Sequence, residues 1–337
     1  MKQVEIASPE QGLNGIKVTD VAPPPEPQAG EIMVQVMASS LNYHDYGVAS
    51  GVMKSSPGRI LMSDGAGVVK AVGEGVTAFA PGDNVVSVFF PDWQTGGPTV
   101  GDFSRTPGDG IDGYAREYVT LPASYFTRAP QGWSHIESAT ITTAGMTAWR
   151  ALVVEGQLKA GDTVLLLGTG GVSVYALQIA KAMGATVAIT SSSDEKLEKA
   201  RAMGADFTVN YKTDEQWGKT VAQWSGGGVD HIVEVGGPAT LGQSIKAARV
   251  GGSIVLIGVL TGIGGEIPTA MLMRKQIKLT GVIVGSHKEQ QDFVRALENM
   301  AFSPVIDKSF ALDELADAFR YEESGQHFGK IAVDYSK

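Results

Sequence analysis

The stretch VLLLGTGGVSVYALQIAKAMGA, residues 164–185, constrains this chain more than any other. Four apolar residues run into a glycine turn, and the turn opens onto a helical pattern. Strand, tight turn and helix are predicted. Gly168 and Gly170 permit a sharp turn and let the backbone approach whatever lies above it. The helix expected from about Gly171 and Val172 then presents free N–H groups and the positive end of its dipole. Ser173 stands where close packing of helix on strand asks for a small side chain, and it is only slightly larger than Ala. The arrangement suits the pyrophosphate of a dinucleotide. An ordinary βα turn and a methyl-donor site share the same geometry.

The turn opens a longer rhythm. From about residue 126, buried-looking runs alternate with helical patterns: TVLLLG, TVAIT, DFTVN, VDHIVEVGG, GSIVLIGV and IKLTGVIVG. Six strands with helices between them predict an α/β fold with a doubly wound parallel sheet, covered on both faces. Residues 1–125 read instead as short strands divided by Gly, Pro and Asp turns, with PPPEPQAG as a stiff surface connection. Residues 126–286 form the expected dinucleotide-binding domain, and residues 287–337 an element returning to the first domain. Residues 91–112 are a Gly/Pro-rich loop, either functional or disordered. Trp93 and Phe103 within it are candidates for covering a bound molecule.

Composition removes several function classes. A net charge of −9 argues against nucleic acid, which needs a clustered basic face. No run of about 18 apolar residues occurs, and MKQVEIASPE has no apolar signal core, so a cytoplasmic protein without a membrane span is expected. The 337 residues contain no Cys, which removes disulfides, thiolate catalysis and cysteine-ligated zinc.

The end of the second strand of the alternation bears on the choice of nucleotide. An NAD site usually places an acid there for the ribose hydroxyls. Here TVAIT runs into SSSDEKLEK, and the acidic position falls on Ser191. Ser191 and Ser192 can donate to a 2′-phosphate and Lys196 can neutralise it, whereas an acid would repel it. Tyr211, ending DFTVNY, is placed to flank the adenine ribose. NADPH is therefore expected over NADH, although the serines also suit helix capping, with Asp194 as N-cap.

With the fingerprint lying mid-chain behind a β-rich domain, the sequence resembles the medium-chain dehydrogenase/reductase superfamily along nearly its whole length. The segments that carry the resemblance are SSLNYHDY, DGAGVVKAVGEGV, PGDNVV, GYAREYV, TAGMTAWRAL, LKAGDTVLLLGTGGVSVYALQIAKAMGA, EKLEKARAMGADFTVNY and GKIAV. It implies a GroES-like catalytic domain, a Rossmann domain and an active-site cleft between them. Zinc enzymes of the superfamily use Cys, a His-Glu pair and a further Cys or Asp; the matching positions here are Asn42, Ser63-Asp64 and Thr143. The structural-zinc cysteines are missing too, and none of the five histidines forms an HxxxH-type pair. No zinc is expected. The zinc-free quinone oxidoreductase branch matches better through its LNYxD and SDGAGVV segments, and that branch pairs NADPH with Lys and Tyr at the positions of Lys196 and Tyr211.

Without a Lewis acid, an activated acceptor is the expected substrate: a quinone or an α,β-unsaturated carbonyl that takes hydride from the nicotinamide. The resemblance implies that Asn42 lies near the nicotinamide and the reacting carbonyl, that Thr143 and Thr147 lie at the cofactor, and that Val284 and Gly285 meet the carboxamide by backbone. Gly258 is read as ending the fifth strand. Tyr43, His44 and Tyr46 form the pool of proton donors, with His44 first because it occupies the proton-relay position of zinc alcohol dehydrogenases. Tyr43 and Tyr46 as core aromatics, with His44 at the surface, is the alternative. Enoyl-thioester reductases carry a catalytic Tyr in QGxY; Met53 of SGVM stands there instead. A zinc-independent alcohol or carbonyl reductase and a non-catalytic NADPH-binding protein remain as further readings, and a homodimer is expected.

Overall fold

Short strands dominate the first third of the chain because its apolar residues alternate with polar ones. A computed structural model describes residues 1–337. It contains two compact units, Met1–Met146 with Val284–Lys337, and Thr147–Ile283. The first unit begins with β1 (Lys2–Ile6), β2 (Ile16–Asp20), β3 (Glu31–Ser40), helix α1 (Tyr43–Ala49), β4 (Arg59–Ile60), β5 (Ala66–Val72), β6 (Asn84–Ser87), β7 (Tyr118–Pro122), β8 (Phe126–Arg128) and α2 (His135–Ala139). In β3 the period of two buries Ile32, Val34, Val36 and Ala38 on one face. Gly67 in β5 is required by the neighbouring strand: a Cβ there would lie 2.0 Å from the Gln35 carbonyl oxygen.

After α2 the chain passes through a π-helical turn, Ile141–Gly145, into α3 (Met146–Trp149) and a second π turn, Arg150–Glu155. The second unit then alternates β9 (Thr163–Leu167), α4 (Gly171–Ala182), β10 (Thr186–Ser191), α5 (Asp194–Ala202), β11 (Phe207–Asn210), α6 (Trp217–Trp224), β12 (Val229–Glu234), α7 (Pro238–Ala247), β13 (Ala248–Leu256), α8 (Thr269–Arg274) and β14 (Lys278–Gly281). Its six strands run in the order β11-β10-β9-β12-β13-β14, every pair parallel. Leu165, Leu167, Ala188, Ile232 and Ile254 share a core with Trp217 and Leu241 of the covering helices. This is the doubly wound sheet expected from the alternation.

The C-terminal segment α9 (His287–Leu297), β15 (Ile306–Ala311), α10 (Leu315–Glu323) and β16 (Lys330–Asp334) belongs to the first unit. There β16 pairs antiparallel with β3, completing the order β15-β16-β3-β5-β6-β8, with β7 also on β3. Phe319, Ile331 and Val333 pack with Val4, Ile6, Val48 and Leu61 in one core.

Two boundaries differ from the sequence reading. The first unit runs to Met146 rather than residue 125, because β8 joins its sheet and α2 packs on β3. The return begins at Val284. The 91–112 loop is held by ion pairs, Arg105 to Asp92 at 3.0 Å and Arg59 to Asp112 at 2.7 Å, and Trp93 is buried. No helix is long and apolar enough to cross a membrane.

Candidate functional site

In the second unit the glycine turn is built as its composition requires. Gly168 adopts φ +73°, a conformation that favours glycine. A Cβ at Gly168 or Gly170 would meet nothing within 4 Å, so the space over the turn is open. Gly170 caps α4 without a side-chain bond, and Gly171 and Val172 form its first turn. Ser173 is buried, and its hydroxyl donates to the Leu167 carbonyl at 2.7 Å. The serine therefore ties helix to strand while keeping the close packing that the third fingerprint position demands. An open turn with uncapped N–H groups fits a dinucleotide pyrophosphate.

At the adjoining strand ends, β10 and β11 pair Ser191 with Asn210, and the Tyr211 N–H donates to the Ser191 carbonyl at 3.1 Å. Tyr211 is exposed and Ser191 buried, its hydroxyl accepting from the Ser193 N–H. Ser192 and Lys196 are half-buried beside it. One expectation is corrected here. Ser193 rather than Asp194 caps α5, its Oγ accepting from the Lys196 N–H at 3.3 Å, because the Asp194 carboxylate is occupied by the Asn210 amide. Gly258 likewise lies beyond β13, which ends at Leu256; a Cβ at Gly258 would stand 2.6 Å from the Val235 carbonyl oxygen.

In the first unit the candidate polar residues form a buried network. Asn42 stands at the N-cap of α1 but makes no side-chain cap bond. Its oxygen instead accepts from Lys330 Nζ at 2.6 Å, and its amide donates to Asp64 Oδ2 at 2.9 Å and Asp45 Oδ2 at 3.0 Å. Lys330 also donates to the Leu41 carbonyl and stands 3.9 Å from Asp64 Oδ2. Asp64 is wholly buried; Ser40 donates to Oδ2 at 2.6 Å and Thr143 to Oδ1 at 2.6 Å. Asp45 accepts from the Ser63 N–H at 2.7 Å.

Burial pushes the Asp64 carboxyl up to about 6, with Lys330 opposing and Asp45 reinforcing the shift. Burial pushes Glu322 of α10 up to about 8 and Lys330 down. Asp64 and Glu322, both out of water beside one ammonium, cannot both ionise cheaply.

This network changes the role expected for Asn42. Both of its amide hydrogens and its oxygen are committed, so it has no donor left for a reacting carbonyl. Among the other expected donors, Tyr46 gives its hydroxyl to Glu323 at 2.6 Å, a bond that holds its pKa up at about 12. His44 packs on Phe103 and Phe89, with Nε2 at 3.2 Å from Asp109, so it is no simple surface residue. Tyr43 is exposed rather than a core aromatic. Phe103 and Trp93 belong to the aromatic cluster of Phe89 and Phe90. Thr147 is buried in α3. Val284 carries φ +44°, a strained state for a β-branched residue of the kind that clusters at functional sites, and Gly285 leaves no room for a Cβ beside Met146. Lys330, Asp45 and Glu322 were missed as site residues. The available signal was a lone Lys opening the apolar run KIAV.

Residues 28–131 match the alcohol dehydrogenase GroES-like domain family, and residues 171–301 the zinc-binding dehydrogenase family. A zinc-type alcohol dehydrogenase-like protein of Schizosaccharomyces pombe is 39% identical across 96% of each chain. Among solved structures, an NAD-dependent alcohol dehydrogenase superposes with a TM-score of 0.89 at 34% identity, covering 99% of both chains. A 2-octenoyl-CoA carboxylase reductase, solved with NADP and 2-octenoyl-CoA, gives 0.87 at 27% identity, covering 99% of this chain and 87% of that one.

One of the two matched families is named for zinc. Zinc is held by thiolate, imidazole and carboxylate. Here the corresponding positions carry an amide, two hydroxyls and one carboxylate, Asp64, whose oxygens already accept three hydrogen bonds. An ammonium beside them repels a dication. These residues do not fit zinc. With both domains matched and relatives aligned nearly end to end, the chain belongs to the medium-chain dehydrogenase/reductase superfamily of oxidoreductases.

Proposed function

We propose that this protein is an NADPH-dependent, zinc-independent oxidoreductase that reduces a quinone or an α,β-unsaturated carbonyl. The observation that carries the reading is the saturation of Asp64 by hydroxyl, amide and ammonium partners at the place where zinc relatives hold their metal. Chemistry without a Lewis acid favours acceptors that are already activated. When bound, the reduced nicotinamide supplies the hydride.

The open turn at Gly168, Gly170, Gly171 and Val172 would hold the pyrophosphate. Ser191, Ser192 and Lys196 would hold the 2′-phosphate beside Tyr211. The NADP in the 2-octenoyl-CoA reductase complex supports this choice, and the same complex supports an unsaturated carbonyl acceptor. Met53, packed 3.1 Å from where a Gly47 Cβ would stand, offers no phenol, which favours small enones and quinones over thioesters. The alcohol dehydrogenase names of the 39% and 34% relatives favour a second reading, carbonyl reduction without zinc.

One experiment separates these readings. NADPH oxidation is followed with 9,10-phenanthrenequinone, an enone and a simple aldehyde, each with and without EDTA. Turnover of the first two that resists chelation is expected, and turnover of the aldehyde alone would transfer the assignment to the second reading. Lys196→Glu is expected to weaken NADPH selectively; an unchanged NADPH/NADH preference would overturn the phosphate assignment.

A further inference from the structure

We propose that Thr143 and Asp64 form a proton relay in which the Thr143 hydroxyl touches the acceptor oxygen and Asp64, through that hydroxyl, stores and returns the proton. The inference rests on the oxidoreductase reading above and adds to it the proton's source.

The geometry singles out this pair within the network. Ser40, Asp45 and Asp64 are buried, and Asn42 is only 9% exposed with every polar atom of its side chain used. Thr143 alone is half-buried. It sits in the π-helical turn Ile141–Gly145, a local irregularity that recurs at functional sites because it re-aims side chains. Its Oγ lies 2.6 Å from Asp64 Oδ1. That single contact works in both directions. With Asp64 ionised, Thr143 donates to it; with Asp64 protonated, the acid donates to Thr143 and frees the threonine hydrogen to turn outward.

The proton balance is then complete. NADPH, when bound, would supply the hydride for the new C–H bond of the acceptor, and the displaced π electrons would move to the acceptor's oxygen. That oxygen takes the Thr143 hydroxyl proton, and Thr143 takes the proton of Asp64. The carboxylate left behind is the species that Ser40, Asn42 and the Lys330 ammonium stabilise. Solvent reprotonates Asp64 before the next turnover. The groups facing Asp64 are Lys330 from β16, Asp45 from α1 and Glu322 from α10. Burial raises its carboxyl, the Lys330 ammonium lowers it, Asp45 raises it again, and the hydrogen bonds from Ser40 and Thr143 lower it; it stands at about 6 and gains and loses a proton close to neutrality. Lys330 is a positioning residue here, since it acts only through Asn42 and Asp64.

The test combines a ligand-free measurement with kinetics. Carboxyl ¹³C NMR of the cofactor-free protein, with Asp64→Asn identifying the resonance, is expected to show Asp64 titrating near pH 6. Thr143→Val is expected to lower kcat for acceptor reduction about 100-fold or more. Thr143→Ser should recover most of that loss. The decline of the wild-type rate as pH rises through 6 should vanish in Asp64→Asn.

An Asp64 that stays ionised down to pH 4 would overturn the relay, and so would Thr143→Val with wild-type kcat and an unchanged pH profile. If the wild-type protein oxidises NADPH with none of the acceptors, the functional reading fails on its own, and the Asp64 titration decides whether a proton store exists.

Discussion

Replacing Glu322 by Gln should make the protein more stable at neutral pH. Glu322 is buried on α10, and its Oε2 has no hydrogen-bond partner. Burial pushes its carboxyl from an ordinary 4.5 up to about 8, with Lys330 pulling down and Asp45 and Asp64 pushing up. The native state therefore keeps a proton that the unfolded chain releases above pH 4.5. Stability from this group is fully present below 4.5 and is lost as pH rises through the interval to 8. Each pH unit in that interval costs about 1.4 kcal/mol, roughly 3 kcal/mol by pH 7. Gln keeps the shape of the protonated acid and has no proton to lose. Below pH 8 it also leaves the surroundings of Lys330 as they are. The assay is hydrogen exchange of β16 and β3 amides in increasing urea, which reports the opening of this unit separately from the other. The variant should match the wild type near pH 4.5 and exceed it progressively up to pH 8. A difference between the two proteins that is the same at pH 5 and pH 8 would refute the reasoning.

Two other substitutions test the buried charges. Lys330→Met leaves Asp64 without its internal cation and frees the Asn42 oxygen, so a loss of about 3–5 kcal/mol is expected in the same exchange assay. Adding Asp64→Asn to Lys330→Met should restore part of it. Lys275 donates to the carbonyls of Ile245, Lys246 and Ala248 at 3.0, 2.7 and 2.6 Å, closing the C-terminal end of α7. Lys275→Met should cost about 2 kcal/mol, measured as a lowered Tm of the second unit.

The second unit was legible because its signals are local. The apolar run Val164–Leu167, the turn glycines and the small Ser173 lie within ten residues of one another, and each acts on its neighbours. What failed there turned on a contact from another strand. Asp194 and Ser193 both qualify as N-caps, and the choice was made by Asn210 on another strand, which takes the aspartate. The boundary near residue 125 was misplaced because β8 is three residues long, too short for alternation to register, and joins its sheet through β6.

The polar network was illegible for a different reason. Its members lie at residues 40–45, 64, 143, 322 and 330, and no periodicity connects them. The resemblance places Asn42 near the reacting carbonyl and Thr143 at the cofactor, but marks Asp64 only as the remnant of an absent metal site, which suggests an idle group. The ammonium of Lys330 reverses that conclusion, because a cation brought in on β16 gives the remaining carboxylate a partner that binding a metal would otherwise provide. An internal cation is covalently fixed and has no open coordination position, so it cannot polarise a substrate as zinc does. What it can do is hold Asp64 between its two protonation states while Asn42 is locked and Thr143 stays partly exposed. If Thr143 and Asp64 serve as the relay, the chemistry rests on proton delivery rather than on Lewis-acid activation. The acceptor must then be one whose carbon takes hydride unaided, which is the property that quinones and enones share.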